Sequence, residues 1–145
     1  MCDTLFRVKT KKQKIVREGP MSLYDLRNYP LAIIDANGEL VYINWAFQDL
    51  YNIPRPSMVI GKYSILNDPS WKGCNLRKKL KEIFSGRSLD FDGVRITPQA
   101  FMDIGVITEA PFREKLVHAT FNPIVTKGNV QSAFMTYEAE VRSEQ

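Results

Sequence analysis

The sequence predicts an α+β domain, built from a five-stranded antiparallel sheet with short helices and one longer helix packed on one face. Three observations support this fold class. Two apolar runs flank Asn37-Gly38 in the first third of the chain, an amphipathic helical pattern occupies the middle, and three strand-like runs follow it. Antiparallel strands that bury one face under helices give this pattern of segments.

The opening hairpin and the helix after it are predicted from the stretch LAIIDANGELVYINWAFQDLY. Both residues of Asn37-Gly38 tolerate the positive φ angles of a tight hairpin turn. Asn44 follows the second apolar run, and its side chain can cap the first turn of a helix. We expect this helix to end before Pro54. Its helical spacing buries one stripe of three side chains, Phe47, Leu50 and Tyr51.

Further helices are predicted on either side of this unit. Ser22, with Asp25 three residues later, predicts a short helix near the start of the domain. Asp68 followed by Pro69 predicts a capped helical turn. From Asn75, the sequence NLRKKLKEIFSG keeps charged side chains away from one apolar stripe and supplies a glycine that ends the helix. The stripe consists of Leu76, Leu80, Ile83 and Phe84.

Three more strands are predicted in the last part of the chain. They are SLDFDGVRI, KLVHATFNPIV and VQSAFMTYEAEV, and the glycine-containing turn TKGN joins the last two. Residues 97–114, between the first two of these strands, follow neither a helical nor a strand pattern. We leave this segment unassigned.

Length and charge divide the chain into a basic arm, residues 1–19, and one domain, residues 20–145. A chain of 145 residues suits a single domain. The arm holds six basic and two acidic side chains, which equals the net charge of +4 of the whole chain. We expect a solvated arm with at most weak attraction to phosphates, and no sequence-specific binding to nucleic acid, because no helix-turn-helix pattern is present.

Composition argues against several other classes of protein. No apolar run approaches the roughly 18 residues that span a bilayer, and the first residues lack the apolar core of a secretory signal. Cys2 and Cys74 are far apart and have no zinc-ligand spacing, which predicts unpaired thiols in a reducing compartment. We therefore expect a cytoplasmic protein without a disulfide or a metal site.

The order of these elements resembles a PAS domain, the sensor module of bacterial signalling proteins. The segment LAIIDANGELVYINWAF resembles the first two strands and helix entry of that family, VIGKYSI resembles the segment that closes its helical region, and FNPIVTKGNVQSAFMTYEAEV resembles its final hairpin. The resemblance covers roughly residues 22–141. It implies a sensory module that binds a small organic ligand, dimerises, or does both, and that passes a signal to an effector in another domain or protein.

The residues give little support to an enzyme or to a coloured cofactor. His118 lies in an apolar strand pattern without a nucleophile at a local spacing, and Asp90 and Asp92 alternate along a strand as many solvent-facing carboxylates do. Flavin-binding PAS members use an Asn-Cys-Arg order, whereas this chain has GCNLR at 73–77. Haem-binding members place a histidine on the long helix, which has none here. We expect neither haem nor flavin, and no catalysis.

A small-molecule pocket between sheet and helices is the remaining candidate site. Aromatic side chains are expected to line it, and Arg95 or His118 is expected to meet an anionic group of the ligand. The alternative is a purely protein–protein module that forms a homodimer without any ligand. The predicted ligand-binding residues are Trp45, Tyr51, Trp71, Phe91, Arg95, His118 and Phe121.

Overall fold

The computed structural model describes residues 7–8 and 28–140, which form one antiparallel sheet with helices on one face. The strands are β1 (Arg7–Val8), β2 (Leu31–Asp35), β3 (Leu40–Ile43), β4 (Leu89–Ile96), β5 (Lys115–Thr126) and β6 (Asn129–Ala139). The helices are α1 (Trp45–Tyr51), α2 (Leu76–Phe84) and α3 (Gln99–Asp103), with 3-10 turns at Pro56–Met58, Ile65–Asn67 and Pro69–Trp71.

The strand order in the sheet is β1-β4-β5-β6-β2-β3, and all neighbouring strands are antiparallel. The five predicted strands are confirmed. A sixth, two-residue strand comes from the segment predicted as a solvated arm, since Arg7 and Val8 pair with Asp90 and Leu89 at the edge of β4. The rest of residues 1–19, and the helix predicted at Ser22, lie outside the described residues.

The predicted hairpin between β2 and β3 is confirmed, with a different turn. Gly38 has a φ angle of +79°, whereas Asn37 is not among the residues with positive φ. The Asp35 carboxylate accepts hydrogen bonds from the amides of Asn37 and Glu39 at 2.9 and 3.0 Å. A Cβ atom at Gly38 would lie 2.9 Å from Ile65 Cγ2, so this position requires glycine for space as well as for conformation.

The predicted helix caps are confirmed, and so are the buried stripes except at Leu50 and Phe84, which are only half-buried. The Asn44 side chain accepts from the Phe47 amide at 2.9 Å and from the Leu31 amide at 3.0 Å, which ties the start of α1 to β2. Asp68 caps the turn Pro69–Trp71 by accepting from the Ser70 amide at 2.8 Å. In α2 the buried side chains are Leu76, Leu80 and Ile83.

The hydrophobic core lies between the helices and the inner face of the sheet. The unassigned segment contributes to it, because α3 buries Phe101 completely. Five residues are too few for a helical hydrophobic pattern to emerge from the sequence, which explains why this helix was missed.

Cys74 is disulfide-bonded, so the prediction of unpaired thiols is wrong at this position. The chain's other cysteine, Cys2, lies outside the described residues. No local cysteine spacing in the sequence indicates a disulfide. The prediction of a reducing compartment rested on unpaired thiols, and the disulfide removes that support. Among the described residues, no helix is both long enough and apolar enough to cross a membrane.

Candidate functional site

Five polar side chains meet inside the core, between the helices and the inner face of the sheet. We call them the interior polar cluster. All five are almost fully buried, although each carries a hydroxyl, a carboxyl or an indole N–H group. They come from the end of α1, from the connection between α1 and α2, and from β6. The members are Tyr51, Tyr63, Asp68, Trp71 and Tyr137.

Asp68 is the acidic member of this cluster, and two donors hold it. The Tyr63 hydroxyl donates to Asp68 Oδ2 at 2.5 Å, and the Ser70 amide donates to Oδ1. These hydrogen bonds lower the pKa of the carboxyl, but burial has the larger effect and raises the pKa above the usual aspartate range. Burial makes this carboxyl costly to ionise, and a second negative charge beside the ionised carboxylate would add to that cost.

Trp71 and Tyr137 bring polar atoms into the core without satisfying them. Trp71 Nε1 and the Tyr137 hydroxyl are fully buried, and neither makes a hydrogen bond of acceptable geometry. Burial raises the pKa of Tyr137, while Tyr51 and Trp71 are close enough to its hydroxyl to oppose that shift. Proximity without a proper bond leaves two buried donors unpaired, and a buried unpaired donor costs about 1–3 kcal/mol.

Burial also raises the pKa of the other two tyrosines, Tyr51 and Tyr63, well above the ordinary value. The charge of Asp68 acts in the same direction on both hydroxyls. The three tyrosines are therefore neutral at physiological pH, and each can donate a hydrogen bond to an acceptor in the core.

Aromatic rings surround the polar atoms and occupy the interior. Phe101 stacks on Tyr63 with ring centroids 4.6 Å apart, and it lies equally close to Tyr51. Phe47 lies 6.2 Å from Tyr137 in a stacked arrangement. The site is thus apolar except for the few polar groups of the cluster, which is the composition of small-molecule sites.

Two surface clefts reach the interior polar cluster from outside. The larger, of about 460 Å³, lies beside the turn Pro69–Trp71 and the start of α2, and both Asp68 and Trp71 contribute to its wall. The smaller, of about 230 Å³, is lined by Tyr63 and by α3 residues. Asn67 and Asp103 border both clefts. The cluster therefore lies directly behind the surface at this end of the domain.

Four of the seven predicted ligand-binding residues lie in or beside the cluster. Tyr51 and Trp71 are members of it. Phe91 and Phe121, from β4 and β5, contact the Trp71 ring edge-on with centroid distances of 5.4 Å each. These two phenylalanines flank the indole and carry no polar group.

The other three predicted residues lie elsewhere. Trp45 is 72% exposed and borders a separate surface groove with Leu50 and Phe112. Arg95 is on the surface, where its guanidinium lies 3.6 Å from the Glu114 carboxylate. His118 lies on the outer face of the sheet beside Asp92. The seven residues therefore do not form one pocket.

Sequence reasoning missed Tyr63, Asp68 and Tyr137 as members of the site. Asp68 was identified only as a helix cap. Tyr137 and Tyr63 lie 74 residues apart, and only the strand register places them together. The available signal was Tyr137 in the alternation of β6, which puts it on the same inward face as Met135 and Ala133.

Solved structures with a similar fold are PAS domains. The PAS domain of an HTR-like protein from Haloarcula marismortui is 13% identical over 81% of this chain and 96% of that chain, with a TM-score of 0.54. The PAS domain of BvgS from Bordetella pertussis is 18% identical over 83% of this chain and 82% of that chain, also with a TM-score of 0.54.

A third similar structure is VqmA bound to DPO. It is 17% identical over 82% of this chain and 55% of that chain, with a TM-score of 0.57. The sequence matches no protein-family model and no curated protein. At these identities the likeness establishes the fold, and it confirms the predicted one: the chain has the fold of a PAS domain.

Proposed function

We propose that this chain is a non-catalytic sensory module of a signalling protein and that a small organic molecule binds at its interior polar cluster. The PAS fold supports the sensory part of the proposal. VqmA is bound to DPO in its structure, which supports, by analogy, small-molecule binding by a chain of this fold. Occupancy of the cluster would then alter what the domain passes to an effector domain or partner protein.

The observation that carries the proposal is the pair of unpaired donors, Trp71 Nε1 and the Tyr137 hydroxyl. Buried polar groups in folded proteins are nearly always hydrogen-bonded, so two orphans in one cluster call for an explanation. A bound molecule with an acceptor atom between them would satisfy both. The gain would repay part of the cost of ordering the ligand.

The chemistry of the cluster selects the class of ligand. Trp71 and Tyr137 offer donors, so the ligand supplies acceptors such as a carbonyl oxygen or a heteroaromatic nitrogen. Asp68 is buried nearby, and a negatively charged ligand would lie against it at a high cost. Aromatic rings form the remaining walls, which favours a flat or apolar body. We therefore propose a neutral, compact molecule, and not the anion that Arg95 and His118 were predicted to meet.

The route to the cluster is the larger cleft beside Pro69–Trp71. Because aromatic side chains occupy the interior, binding requires one of them to move. Trp71 is well placed to do so, since it lies at the boundary between cleft and core. Such a movement would shift the adjacent 3-10 turn and α2, and it offers a way to transmit occupancy to the surface.

The experiment is a thermal-shift screen of the purified chain against a library of neutral carbonyl and heteroaromatic compounds, preceded by native mass spectrometry for co-purified molecules. A ligand at a hundredfold excess over Kd stabilises the native state by about 2.7 kcal/mol, which raises Tm measurably. The chain has two tryptophans, so Trp71→Phe is the test variant and Trp45→Phe the matched control. A stabilising compound should lose its effect in W71F and keep it in W45F.

Two outcomes would contradict the proposal. One is a library in which no compound stabilises the protein and no co-purified molecule is found. The other is a stabilising compound that acts equally on W71F but not on W45F, which would move the site to the exposed groove around Trp45.

A second candidate function is homodimerisation without a ligand. Val41 and Tyr42 are about half exposed on the edge strand β3, and Trp45 follows them with its ring in solvent. These three large apolar side chains lie within five residues and are exposed, and a second copy of the chain could cover them. Native mass spectrometry reports subunit count together with bound ligand. A dimer that Tyr42→Asp dissociates would support this candidate, and a monomer at micromolar concentration would remove it.

A further inference from the structure

A second group of interacting side chains lies on the outer face of the sheet, away from the interior polar cluster. Asp92 comes from β4, His118 from β5 and Glu140 from the residue directly after β6. One potential ligand atom of each lies within 4.8 Å of the others. We call these three residues the outer triad. Its members are half-buried and come from β4, β5 and the residue that follows β6.

A β-bulge in β4 brings the outer triad together. Phe91 pairs with Ala119 and Val94 pairs with Val117, so β4 has one more residue than β5 between these pairs. Gly93, with a φ angle of +68°, is part of the bulge, and its amide donates to Glu140 Oε2 at 3.3 Å. The bulge thus directs Asp92 toward His118 and holds Glu140 beside them.

The imidazole of His118 lies between two carboxylates. Its Nδ1 is 2.5 Å from Asp92 Oδ1, and its Nε2 is 3.5 Å from Asp90 Oδ1. Asp90 is buried, and the Thr120 hydroxyl donates to the same Asp90 oxygen at 3.0 Å. Nδ1 thus faces Asp92, and Nε2 faces the Asp90 carboxylate, which Thr120 holds in place.

This arrangement has the layout of a histidine metal ligand with its supporting shell. A histidine that binds a metal through one ring nitrogen usually donates the N–H of the other to a carboxylate, which fixes the orientation of the ring. Here Nδ1 faces Asp92, and the Gly93 amide next to Asp92 holds Glu140. On the opposite side, Nε2 lies 3.5 Å from Asp90, an ion-pair contact that would shorten to a hydrogen bond in the metal-bound form. The buried Asp90 carboxylate behind the ring distinguishes this group from an exposed cluster of acids.

We propose that Asp92, His118 and Glu140 bind one divalent transition-metal ion, with His118 coordinating through Nδ1 and Asp90 acting as the positioning residue for the ring. In the bound form the imidazole is neutral and keeps its proton on Nε2, toward Asp90. An imidazole with two carboxylates suits Zn²⁺ or Mn²⁺, whereas Mg²⁺ and Ca²⁺ prefer oxygen ligands throughout.

The ligand distances are compatible with small side-chain movements. Zinc lies about 2.0–2.2 Å from imidazole nitrogen and carboxylate oxygen, so its ligand atoms are separated by roughly 3–3.5 Å. The distance of 2.5 Å between His118 Nδ1 and Asp92 Oδ1 would lengthen, and the longer distances between ligand atoms, up to 4.8 Å, would shorten. Each change is within the reach of side-chain rotation about strands that stay in register.

The test is a titration of the full chain with Zn²⁺ after chelator treatment, followed by calorimetry and by competition with a chromophoric chelator. We expect one Zn²⁺ per chain. Asp92→Asn and His118→Gln should each weaken binding by at least about 100-fold, and Asp90→Asn by roughly 10- to 100-fold. Glu109→Gln, which removes an exposed carboxylate from a loop, should leave the affinity unchanged.

A spectroscopic readout separates coordination from a structural effect. His118 is the only histidine in the chain, so its imidazole gives one set of nitrogen resonances. Zn²⁺ should shift Nδ1 and leave Nε2 protonated, and in the Zn²⁺-bound protein D90N should change the Nε2–H signal. Circular dichroism of each variant checks folding, and D92N, nearly isosteric with the wild type, retains the test if H118Q fails to fold.

Three results would overturn the proposal: no Zn²⁺ uptake above that of D92N, wild-type affinity in H118Q, or Zn²⁺ binding that leaves the His118 resonances unmoved. Because the outer triad and the interior polar cluster lie on opposite faces of the sheet, failure here leaves the proposed ligand site untouched.

Discussion

Removing one hydroxyl from each of two buried tyrosines should change stability in opposite directions. Tyr63 and Tyr137 are both almost fully buried in the interior polar cluster, and burial raises the pKa of both. They differ in their partners. The Tyr63 hydroxyl donates to the Asp68 carboxylate at 2.5 Å, whereas the Tyr137 hydroxyl has Tyr51 and Trp71 nearby but no hydrogen bond of good geometry.

The expected magnitudes follow from these partners. Removing one partner of a buried hydrogen bond costs about 1–3 kcal/mol, so Tyr63→Phe should lower the free energy of unfolding by roughly 2 kcal/mol. It also leaves Asp68 with one donor fewer in the core. Tyr137→Phe removes a hydroxyl whose burial is uncompensated, so the free energy of unfolding should stay constant or rise by up to about 1 kcal/mol.

Urea denaturation at pH 7, followed by circular dichroism, measures both changes. Tyr42→Phe, at a half-exposed position, serves as the control and should stay within about 0.5 kcal/mol of the wild type. A loss in Y137F as large as that in Y63F would refute the reasoning. It would mean that the Tyr137 hydroxyl is already hydrogen-bonded, so that the cluster offers no unpaired donor there to the acceptor of a ligand.

Three further predictions concern the pH dependence of stability, the hairpin turn and the arm. Burial raises the pKa of Asp68, so the stability that the protonated carboxyl contributes is complete below the usual aspartate pKa and is lost as pH rises through the raised pKa. Asp68→Asn should abolish this decline in the free energy of unfolding measured in urea. A variant with the pH profile of the wild type would contradict this. Gly38→Ala should destabilise the fold by at least about 1 kcal/mol more than Gly128→Ala, because both have positive φ but only Gly38 lacks space for a Cβ; equal Tm losses would contradict this. Replacement of Lys9, Lys11, Lys12 and Lys14 by glutamine keeps strand β1 and removes four positive charges, which equals the whole net charge of +4. It should abolish weak, salt-sensitive binding to unrelated DNA duplexes, whereas a preference for one duplex that survives moderate salt would count against a non-specific arm.

Local rules were sufficient to predict most of the fold. Gly38 marks the turn, Asn44 and Asp68 cap helical segments, and the stripe of α2 faces the core. Each of these features depends on residues a few positions apart, and the sequence displays such spacings directly. The short helix α3 was missed because its packing depends on one buried side chain, Phe101, and not on a repeated pattern.

The candidate site was only partly predictable, because it depends on which distant residues meet. Tyr51 and Trp71 were identified as aromatic candidates, but Trp45, equally aromatic, begins its helix on the exposed side. The interior polar cluster needs Tyr137 on β6 to face Asp68 across the core. The outer triad needs a bulge at Gly93, and nothing in the alternation of β4 indicates that one residue is unpaired there.

The most direct measurement of the central claim is the indole N–H region of a ¹H–¹⁵N correlation spectrum during titration with neutral carbonyl and heteroaromatic fragments. The two tryptophans give two signals, which W45F and W71F assign. If a ligand binds at the interior polar cluster, the Trp71 signal shifts downfield as its N–H gains an acceptor, and the signal of the exposed Trp45 stays in place. Movement of the Trp45 signal alone, or of neither signal across the whole fragment set, would contradict the proposal that this domain senses a small molecule in its core.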